Sequence, residues 1–496
     1  MNAAVRPPGF WWMRGYGAAW AVLVAGTFAW FSWRAAQGGY VGVEIADALP
    51  ALMFLALGPA LFCGYPVAFV LGGIALVAGL TGHALDVFRM QQFFNIPSRI
   101  FGGVAANSVL VAIPMFIFMG VMLEKSGVAK DMLFCLQVLL RRAPGALALS
   151  VVALGTLMAA TTGIVGASVI MLTLIALPSM LERGYDKSLA TGVIAASGTL
   201  GILIPPSIML VLMADLLAVP VGELFVGAFF PGLLLATMYF IYVLAVGILA
   251  PARAPSLPKE IGPATRRDFL LMLWKGFWPP IFLIILVLGS ILFGFATPTE
   301  AAGVGAFGAT LLAVINRRFD LKLLGKALDE TALTNAMLFA IFIGATAFSY
   351  VFRSLGGDHM VVAAFESLGL GPWAFLGAVM LLIFALGFFF EWIEITLIVL
   401  PIFAPVFGLL DFGGHVAKAD VLVWFAILVA VNLQTSYLTP PFGITLFYMK
   451  AIVPPQVRMQ DLIRGVVPFV TLQVIGLVLC IAFPEIVLWL PRKLLD

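Results

Sequence analysis

Apolar runs of about 20 residues, the length that crosses a bilayer core as a helix, recur along the whole chain. Short breaks that are charged or rich in Gly and Pro separate these runs, and no stretch remains that is long and polar enough for a soluble domain. The pattern predicts spanning helices at 16–33, 48–63, 66–82, 107–123, 221–249, 276–295, 296–315, 331–352 and 466–488.

Two pairs of short matching segments occur in the same order along the chain. TLIALP at 173–178 returns as TLIVLP at 396–401, and LIPP at 203–206 returns as LTPP at 438–441. Two matches in one order indicate an internal repeat, and inverted repeats with interrupted helices are typical of membrane transporters. Between its spans each copy is therefore predicted to hold a re-entrant hairpin and a helix broken by proline.

These further elements can be placed along both copies. The first copy is predicted to contain an outer arm at 84–99, an inner arm at 130–142, a hairpin at 147–181 and a broken helix at 190–216. The second is predicted to contain an inner arm at 318–330, an outer segment at 353–370, a hairpin at 372–410 and a broken helix at 421–449. In the arm RFDLKLLGKALDE, Leu321, Leu324 and Leu328 share one helical face, which predicts that this arm lies along the membrane surface.

The sequence thus predicts an all-α polytopic membrane protein built from two inverted repeats. The predicted divisions are an extra amino-terminal transmembrane helix at 1–47, a first repeat at 48–249, a cytoplasmic linker at 250–275, a second repeat at 276–465, and a last transmembrane helix with the tail at 466–496. The first span could also be a cleaved signal peptide, although its many tryptophans favour a retained anchor.

Composition and charge support a membrane protein with its amino terminus inside. Apolar residues make up 63% of the 496 residues, charged residues make up 10%, and the mean hydropathy is +1.13. In the predicted topology all but seven of the 27 Lys and Arg residues lie on the inner side, as expected for cytoplasmic loops. The seven outer residues are Arg34, Arg89, Arg99, Arg353, Lys418, Arg492 and Lys493. A net charge of +3 gives no indication of nucleic-acid binding, so the lipid bilayer is the expected environment.

The two Pro-Pro pairs predict where backbone oxygens are available at membrane depth. Proline lacks an N–H and clashes with the carbonyl four residues earlier, so the pairs Pro205–Pro206 and Pro440–Pro441 should break their helices. The carbonyls expected to be freed belong to Gly201, Ile202, Ser436 and Tyr437. Such breaks persist in hydrocarbon only where protein, water or an ion satisfies them. Transmembrane kinks are common without any ligand, but two matched breaks, each beside a hairpin, favour a mid-membrane binding site.

Acidic residues in the second hairpin tip are further candidates. The predicted tips are TTGIVGAS at 161–168 and FEWIEIT at 390–396. Glu391 and Glu394 lie in the second, and acidic groups at membrane depth are usually functional, unless the tip lies in the headgroup region or in water. Glu300 has a different interpretation, because TPTE at 297–300 has the pattern of a capping box, so this residue is expected to be structural.

The hard oxygens at the breaks and tips suit Na⁺ as a coupling ion. The predicted sodium-binding residues are Thr162, Gly163, Gly166, Ser168, Ser197, Thr199, Gly201, Glu391, Thr396, Asn432, Thr435, Ser436 and Thr439. The predicted substrate-binding residues are Pro206, Ser207, Glu394, Pro441, Phe442 and Gly443. No Lys or Arg occurs in either hairpin or either broken helix, so a substrate anion is expected to meet helix N-termini near Ser207 and Phe442, together with Na⁺.

Other reactive side chains give no sign of a further cofactor. Cys63, Cys135 and Cys480 are far apart in apolar segments and are expected to be buried small residues. The histidines stand alone near segment ends at His83, His359 and His415, so no metal site other than the one for Na⁺ is expected.

Three stretches together resemble one family, the large membrane subunit of tripartite ATP-independent periplasmic (TRAP) transporters. They are FATPTEAAGVGAF, RGYDKSLATGVIAASGTLGILIPPSI and NLQTSYLTPPFGITLF, within a likeness that extends over 48–490. The resemblance implies an elevator-type, Na⁺-driven secondary transporter in the bacterial inner membrane. It also implies two partners, a soluble periplasmic solute-binding protein that delivers an organic acid and a small four-helix membrane subunit.

The chain departs from many of these relatives at both hairpin tips. TTGIVGASVIM lacks an Asp that they carry, and Glu391 stands where they have Asp. The first tip resembles a branch labelled mannitol/chloroaromatic, and a small monocarboxylate or 2-oxo acid is the expected substrate. A stand-alone Na⁺/carboxylate symporter and a passive channel are the alternatives. An intramembrane enzyme is a remote one, because the sequence has no HExxH motif, no Asp-rich metal motif and no plausible catalytic triad.

Overall fold

A computed structural model describes residues 41–162, 165–257, 262–263, 265–367, 369, 371–440 and 443–494. These residues form helices joined by turns, and no β-strand occurs among them. Seven helices in this part of the chain are long and apolar enough to cross a membrane, or eight if one bent pair is counted as a span. The polytopic all-α fold is therefore confirmed. The predicted span at 16–33, with its question of anchor or signal peptide, lies outside the described residues.

The helices of the amino-terminal half follow the predicted order. They are α1 (Val41–Phe62), α2 (Val67–Ala84), α3 (Asn95–Ile100), α4 (Ala112–Lys125), α5 (Val128–Leu140), α6 (Ala146–Thr162), α7 (Val165–Glu182), α8 (Lys187–Thr199), α9 (Ile208–Leu217) and α10 (Val221–Leu249). A 3₁₀ turn at Met90–Phe94 precedes α3, and a π-helical turn at Phe101–Ala105 follows it. Helices α4 and α5 bend by 64° at their junction, so the inner arm leaves the span as the sequence predicts.

The carboxy-terminal half repeats the pair of hairpin helices and the broken helix. Its helices are α11 (Arg266–Met272), α12 (Trp278–Leu292), α13 (Pro298–Ile315), α14 (Leu321–Ser354), α15 (Gly357–Ser367), α16 (Pro372–Leu386), α17 (Trp392–Phe407), α18 (Val421–Ser436), α19 (Ile444–Ile452), α20 (Met459–Ala482) and α21 (Glu485–Leu494). The capping box that begins α13 is present, with the Thr297 N–H donating to Glu300 Oε2 at 2.7 Å and the Glu300 N–H donating to Thr297 Oγ1 at 3.3 Å.

Three predictions about these elements were wrong. The inner arm at 318–330 is not separate, because α14 runs without a break through the stretch TALTNA, which contains no Pro or Gly. The last span does not reach residue 488, because α20 ends at Ala482, ahead of Pro484, and a new helix follows. Cys63 is exposed in the turn between α1 and α2, whereas Cys135 and Cys480 are buried as expected.

The chain divides into two compact units, which are described separately. One unit comprises residues up to Asn107 with Ala336–Leu370 and Pro401–Val406. In it, the ring of Phe54 packs edge-on against Phe348, with ring centroids 5.6 Å apart. The other unit comprises Ser108–Asn335, Gly371–Leu400 and Phe407–Asp496, and it contains both hairpin tips and both Pro-Pro breaks.

Glycines allow the helices of this second unit to approach closely. A Cβ added at Gly192 of α8 would lie 2.1 Å from the carbonyl oxygen of Gly465 on α20, which no real Cβ tolerates. A Cβ at Gly305 of α13 would lie 2.5 Å from the sulfur of Met119 on α4. Small residues at such crossings let backbones meet, which is how helices associate in membranes.

Part of the predicted linker is fixed to the first hairpin and its neighbours. The Arg253 guanidinium pairs with the Asp186 carboxylate at 3.0 Å, and the Tyr185 hydroxyl donates to the Pro255 carbonyl at 2.8 Å. Ala254 and Leu257 are 1% and 4% exposed. The start of the linker is therefore packed against the turn between α7 and α8.

Candidate functional site

The first Pro-Pro break lies where the sequence predicts it. Helix α8 ends at Thr199, a 3₁₀ turn covers Leu200–Ile202, and α9 begins at Ile208 after the cis peptide bond between Pro205 and Pro206. The Ser207 hydroxyl donates to the Ile202 carbonyl. The prediction that Ile202 has a free carbonyl was therefore wrong, because the side chain that follows the prolines satisfies it.

The hairpin helices approach this break through glycine. A Cβ at Gly155 of α6 would lie 2.5 Å from the Cβ of Ser197, and one at Gly198 would lie 2.4 Å from a methyl group of Val169 on α7. Both arms of the first hairpin thus pack directly on α8. The Ser197 hydroxyl is fully buried there and has no hydrogen-bond partner among the described residues.

The second break is more completely bonded than the sequence suggests. Helix α18 ends at Ser436 and α19 begins at Ile444. The Gly443 N–H donates to the Thr439 carbonyl at 2.9 Å, and the Thr445 N–H donates to the Tyr437 carbonyl at 3.3 Å. The prediction that Tyr437 has a free carbonyl was therefore wrong, and the N–H of Gly443 is already bonded within the break.

Hydroxyl groups at this break keep their oxygens available to a cation. Thr435, Ser436 and Thr439 donate to the carbonyls three or four residues earlier, at 2.7, 2.7 and 2.9 Å. A hydroxyl that has given its proton to a carbonyl still has lone pairs, which are the groups a hard cation binds. Thr199 at the first break has the same arrangement, donating to the Ala196 carbonyl at 2.9 Å.

Asn432 presents an oxygen in a defined direction. Its Nδ2 donates to the Met380 carbonyl of α16 at 2.7 Å, which fixes the orientation of the amide. Its Oδ1 is buried and has no hydrogen-bond partner within the described part of the chain. A buried amide oxygen without a donor is costly, so this atom is suited to a cation ligand.

The acidic tip of the second hairpin packs into the same region. Glu391 immediately precedes α17 and accepts the N–H of Ile395 through its carbonyl at 3.2 Å. Glu394 is 5% exposed, and its Oε2 has no partner among the described residues, so this side chain does not lie in water. Nearby, a Cβ at Gly387, which directly follows α16, would lie 2.7 Å from the Cβ of Ser436.

Several predicted residues lie together and others do not. The first tip reaches α19, because a Cβ at Gly166 would lie 2.9 Å from the Tyr448 ring. Ser168 is buried on α7. Thr396 is buried, and its hydroxyl oxygen has no partner among the described residues. Residues two positions apart in a helix do not share a face, so Thr396 lies on a different side of α17 from Glu394. Gly163, Pro441, Phe442 and the side chain of Thr162 lie outside what the structure describes.

Four polar residues near the second break are missing from the predicted sets. Tyr437 and Thr445 are buried with hydroxyls that lack partners among the described residues, as are both amide atoms of Gln434. The ring of Tyr448, on α19, lies against Gly166 of the first tip. All four belong to the stretch NLQTSYLTPPFGITLFYM beside the second break. Their polarity was the signal in the sequence, and the predicted sets omitted them because those sets consist mainly of small residues.

Paired interrupted helices whose buried polar groups converge within a helical bundle are the arrangement of membrane transporters. Comparison with known proteins specifies the class. The family model described as "Tripartite ATP-independent periplasmic transporter, DctM component" matches residues 52–486. The chain is 30% identical over 418 residues to the C4-dicarboxylate TRAP transporter large permease protein DctM of Pseudomonas aeruginosa, covering 84% of this chain and 94% of that protein.

A second relative and a solved structure extend the comparison. The chain is 28% identical over 458 residues to the isethionate TRAP transporter permease protein DctMQ of Oleidesulfovibrio alaskensis, covering 90% of this chain and 69% of that protein. The crystal structure of the YdaH transporter of Alcanivorax borkumensis aligns with a TM-score of 0.56 at 16% identity, over 80% of this chain and 89% of that one. At this identity the structural likeness shows the fold alone.

The chain belongs to the family of TRAP transporter large permeases. It is a multi-pass subunit of a transporter in the bacterial inner membrane and not an enzyme. Permeases of this family work with a small membrane subunit and a periplasmic binding protein. The resemblance seen in the sequence is thus confirmed for the family, while the mannitol/chloroaromatic branch stays a prediction.

Proposed function

We propose that this permease couples the uptake of a small organic anion to the entry of Na⁺. One observation carries the proposal: buried oxygens of Ser197, Asn432 and Glu394 lack hydrogen-bond partners among the described residues, in the stretches 190–216, 421–449 and 372–410, which contain no Lys or Arg. Oxygen groups without donors favour a cation, and no cationic side chain of these stretches can take that role.

The acidic tip gives a physical reason for coupling. Glu391 and Glu394 are three residues apart at the start of α17 and therefore lie on one side of it. Two carboxylates would repel a substrate anion at this depth unless a cation offsets their charge. Bound Na⁺ would supply that charge, so the anion should bind well only after Na⁺, and each should raise the affinity for the other.

The substrate class follows from the same lack of cationic side chains. The two relatives above are named for a C4-dicarboxylate and for isethionate, which are both small organic anions. A dianion would need more positive charge than Na⁺ and helix N-termini offer here. We therefore favour a small monocarboxylate or 2-oxo acid, with the N-terminus of α9 at Ser207 as one anion-binding element.

The expected assembly has three parts and an elevator mechanism. In this proposal a small four-helix membrane subunit braces the permease, a periplasmic solute-binding protein delivers the acid, and the hairpins carry it across with the broken helices. ATP has no role, because no GxxxxGK[ST] motif occurs in the sequence.

The test is uptake of labelled lactate, pyruvate and succinate into proteoliposomes that contain the permease and small subunit, with the binding protein outside. We expect uptake of at least one monocarboxylate with an inward Na⁺ gradient and little with K⁺ on both sides. Undiminished uptake after K⁺ replaces Na⁺ would contradict sodium coupling. Equal uptake by the permease alone would instead favour a stand-alone symporter.

A further inference from the structure

The segment that leads into α12 is one continuous helical run. Helix α11 passes through a π-helical turn at Leu273–Phe277 into α12, and the backbone stays in the right-handed helical region at Leu273 and Trp278. Thr265 caps the start, because its hydroxyl accepts the Asp268 N–H at 3.2 Å and donates to the Asp268 carboxylate at 2.5 Å. In the predicted topology the run therefore starts in the cytoplasmic linker and continues into the membrane.

Helix α5, the predicted inner arm, covers one side of this run. The Cys135 thiol of α5 donates to the Met272 carbonyl at 3.5 Å. A Cβ at Gly276 would lie 3.0 Å from the Cys135 sulfur, so the π-helical turn packs closely on α5. Met272 and Gly276 are four residues apart and lie on one face of the run. That face is therefore fixed to the protein.

A groove with one basic end lies on the exposed face of the run. Trp274 and Trp278 are 69% and 50% exposed there, although tryptophan is usually largely covered. The groove has a volume of about 590 Å³ and is lined by Arg267, Leu270, Leu271, Leu273, Trp274 and Trp278. Apart from Leu273, these residues recur at intervals of three or four, which is the spacing of one helical face.

Arg267 supplies a positive charge that the described part of the protein leaves without an ion pair. Its side chain is exposed, and no carboxylate among the described residues pairs with it. The neighbouring carboxylate of Asp268 is already bonded in the helix cap. Arg266 and Lys275 add two basic residues to the same run of sequence. Basic residues beside tryptophan at the cytoplasmic surface of a membrane attract anionic lipid headgroups.

The length of the groove matches one leaflet of a bilayer. Arg267 and Trp278 are eleven residues apart, which is about 16 Å along a helix. One leaflet contributes about 15 Å of the hydrocarbon core. With Arg267 at the level of the headgroups, the apolar lining therefore lies beside an acyl chain. A soluble anion would contact only the basic end, whereas a phospholipid would contact the whole groove.

We propose that this groove binds an anionic phospholipid of the cytoplasmic leaflet. The Arg267 guanidinium binds the phosphate, which its fork of N–H donors suits, and an acyl chain lies along Leu270, Leu271 and Trp274. A zwitterionic lipid carries the same phosphate, but its ammonium group offsets the attraction to the basic residues. The site is independent of the proposed Na⁺ coupling, because the run contains neither a hairpin tip nor a Pro-Pro break.

The chain offers a matched control for the charge at Arg267. Arg464, near the start of α20, is also exposed and has no ion-pair partner among the described residues. It lies on the inner side in the predicted topology, on a helix that does not line the groove. Arg464→Gln removes the same charge as Arg267→Gln. A change in lipid preference that only Arg267→Gln produces is therefore specific to the groove.

The experiment is native mass spectrometry of the delipidated complex of permease and small subunit, titrated with phosphatidylglycerol or phosphatidylcholine of identical acyl chains. We expect the first phosphatidylglycerol to bind about fivefold more tightly, the effect of one basic residue at a membrane surface. Arg267→Gln should bring this ratio near one, Arg267→Lys should keep most of it, and Arg464→Gln should leave it unchanged. Trp274→Ala should weaken both lipids and preserve the ratio, because it removes apolar contact and no charge.

Glycerol 3-phosphate distinguishes a lipid from a soluble anion at the same site. It should not displace phosphatidylglycerol at equal concentration, because it has no acyl chain. Displacement by it, equal binding of the two lipids by the wild type, or equal effects of Arg267→Gln and Arg464→Gln would each overturn the inference. An unchanged ratio in Arg267→Gln would do so as well, and is the result expected if the small subunit covers the groove. The Tm of each variant, measured on the same samples, shows that it is folded.

Discussion

At the scale of single residues, Asn432 shows how a polar side chain becomes directed at membrane depth. Its amide nitrogen is held by the Met380 carbonyl, which leaves the amide oxygen buried without a donor. Neighbouring hydroxyls on the same helix give their protons to the backbone and keep their lone pairs. A set of acceptors whose donors are already used is an environment that favours Na⁺ over water.

Removing two of these hydroxyls should weaken sodium binding without unfolding the permease. Ser436→Ala with Thr439→Val deletes two oxygens whose protons bond only to the helix backbone. We expect the Na⁺ concentration for half-maximal uptake to rise roughly tenfold, which corresponds to about 1.4 kcal/mol.

The control is Ser150→Ala with Thr191→Val, because both hydroxyls are fully buried and bond to the backbone at 2.7 and 2.8 Å, away from the breaks. It should preserve the sodium dependence of the wild type. If the two double variants have the same sodium dependence, Ser436 and Thr439 are structural residues.

Residue types at the site were largely predictable, but their bonding was not. Pro-Pro pairs break helices for local steric reasons, so the sequence located both interruptions. Which carbonyls remain free depends on neighbours that fold back, as Ser207 does onto Ile202 and Thr445 onto Tyr437. The phenol of Tyr448 was missed because its position depends on a contact with Gly166, 282 residues earlier in the chain.

At the scale of elements, close helix crossings hold the broken helices in place. The backbones of α8 and α20 meet at Gly192 and Gly465, and the first hairpin packs on α8 through Gly155. Because lipid supplies no hydrophobic driving force between helices, such van der Waals contact is a main source of their association.

A methyl group at this crossing should therefore separate the helices. Gly192→Ala places a Cβ where the Gly465 carbonyl lies, and we expect destabilisation of about 1–3 kcal/mol and a lower Tm. Gly303→Ala on α13 is the control, since nothing lies within 4 Å of a Cβ there and Ala favours helix over Gly. Thermal unfolding of both variants gives the comparison, and equal Tm values would show that the crossing is not tightly packed.

Element boundaries followed the sequence wherever a local signal exists. The Thr297–Pro298 start of α13 and the bounds of α10 match the prediction. The start of α14 does not match the prediction. The amphipathic pattern over 318–330 indicated a separate interfacial arm, although the residues that follow contain no helix breaker. Amphipathic pattern alone cannot show whether an arm is separate or continues into a span.

At the scale of the whole molecule, the two halves carry the same pair of elements, a helical hairpin and a broken helix. The second unit contains both hairpin tips and both breaks, and contacts such as Gly166 with Tyr448 join the first hairpin to the second broken helix. A site assembled from both halves can be closed to one side and then to the other by moving these parts together. The inverted orientation of the repeats and the elevator movement stay predictions.

The most direct measurement is a high-resolution structure of the assembled transporter with L-lactate, determined once in NaCl and once in KCl. In NaCl we expect cation density within about 2.3–2.6 Å of Asn432 Oδ1, the range for hard cations of this size, and the carboxylate of the acid at the N-terminus of α9 near Ser207. In KCl both densities should be lost. A carboxylate paired with Lys or Arg from a loop or from the small subunit, with no cation at Asn432, would contradict a sodium-coupled site that holds its anion without a cationic side chain.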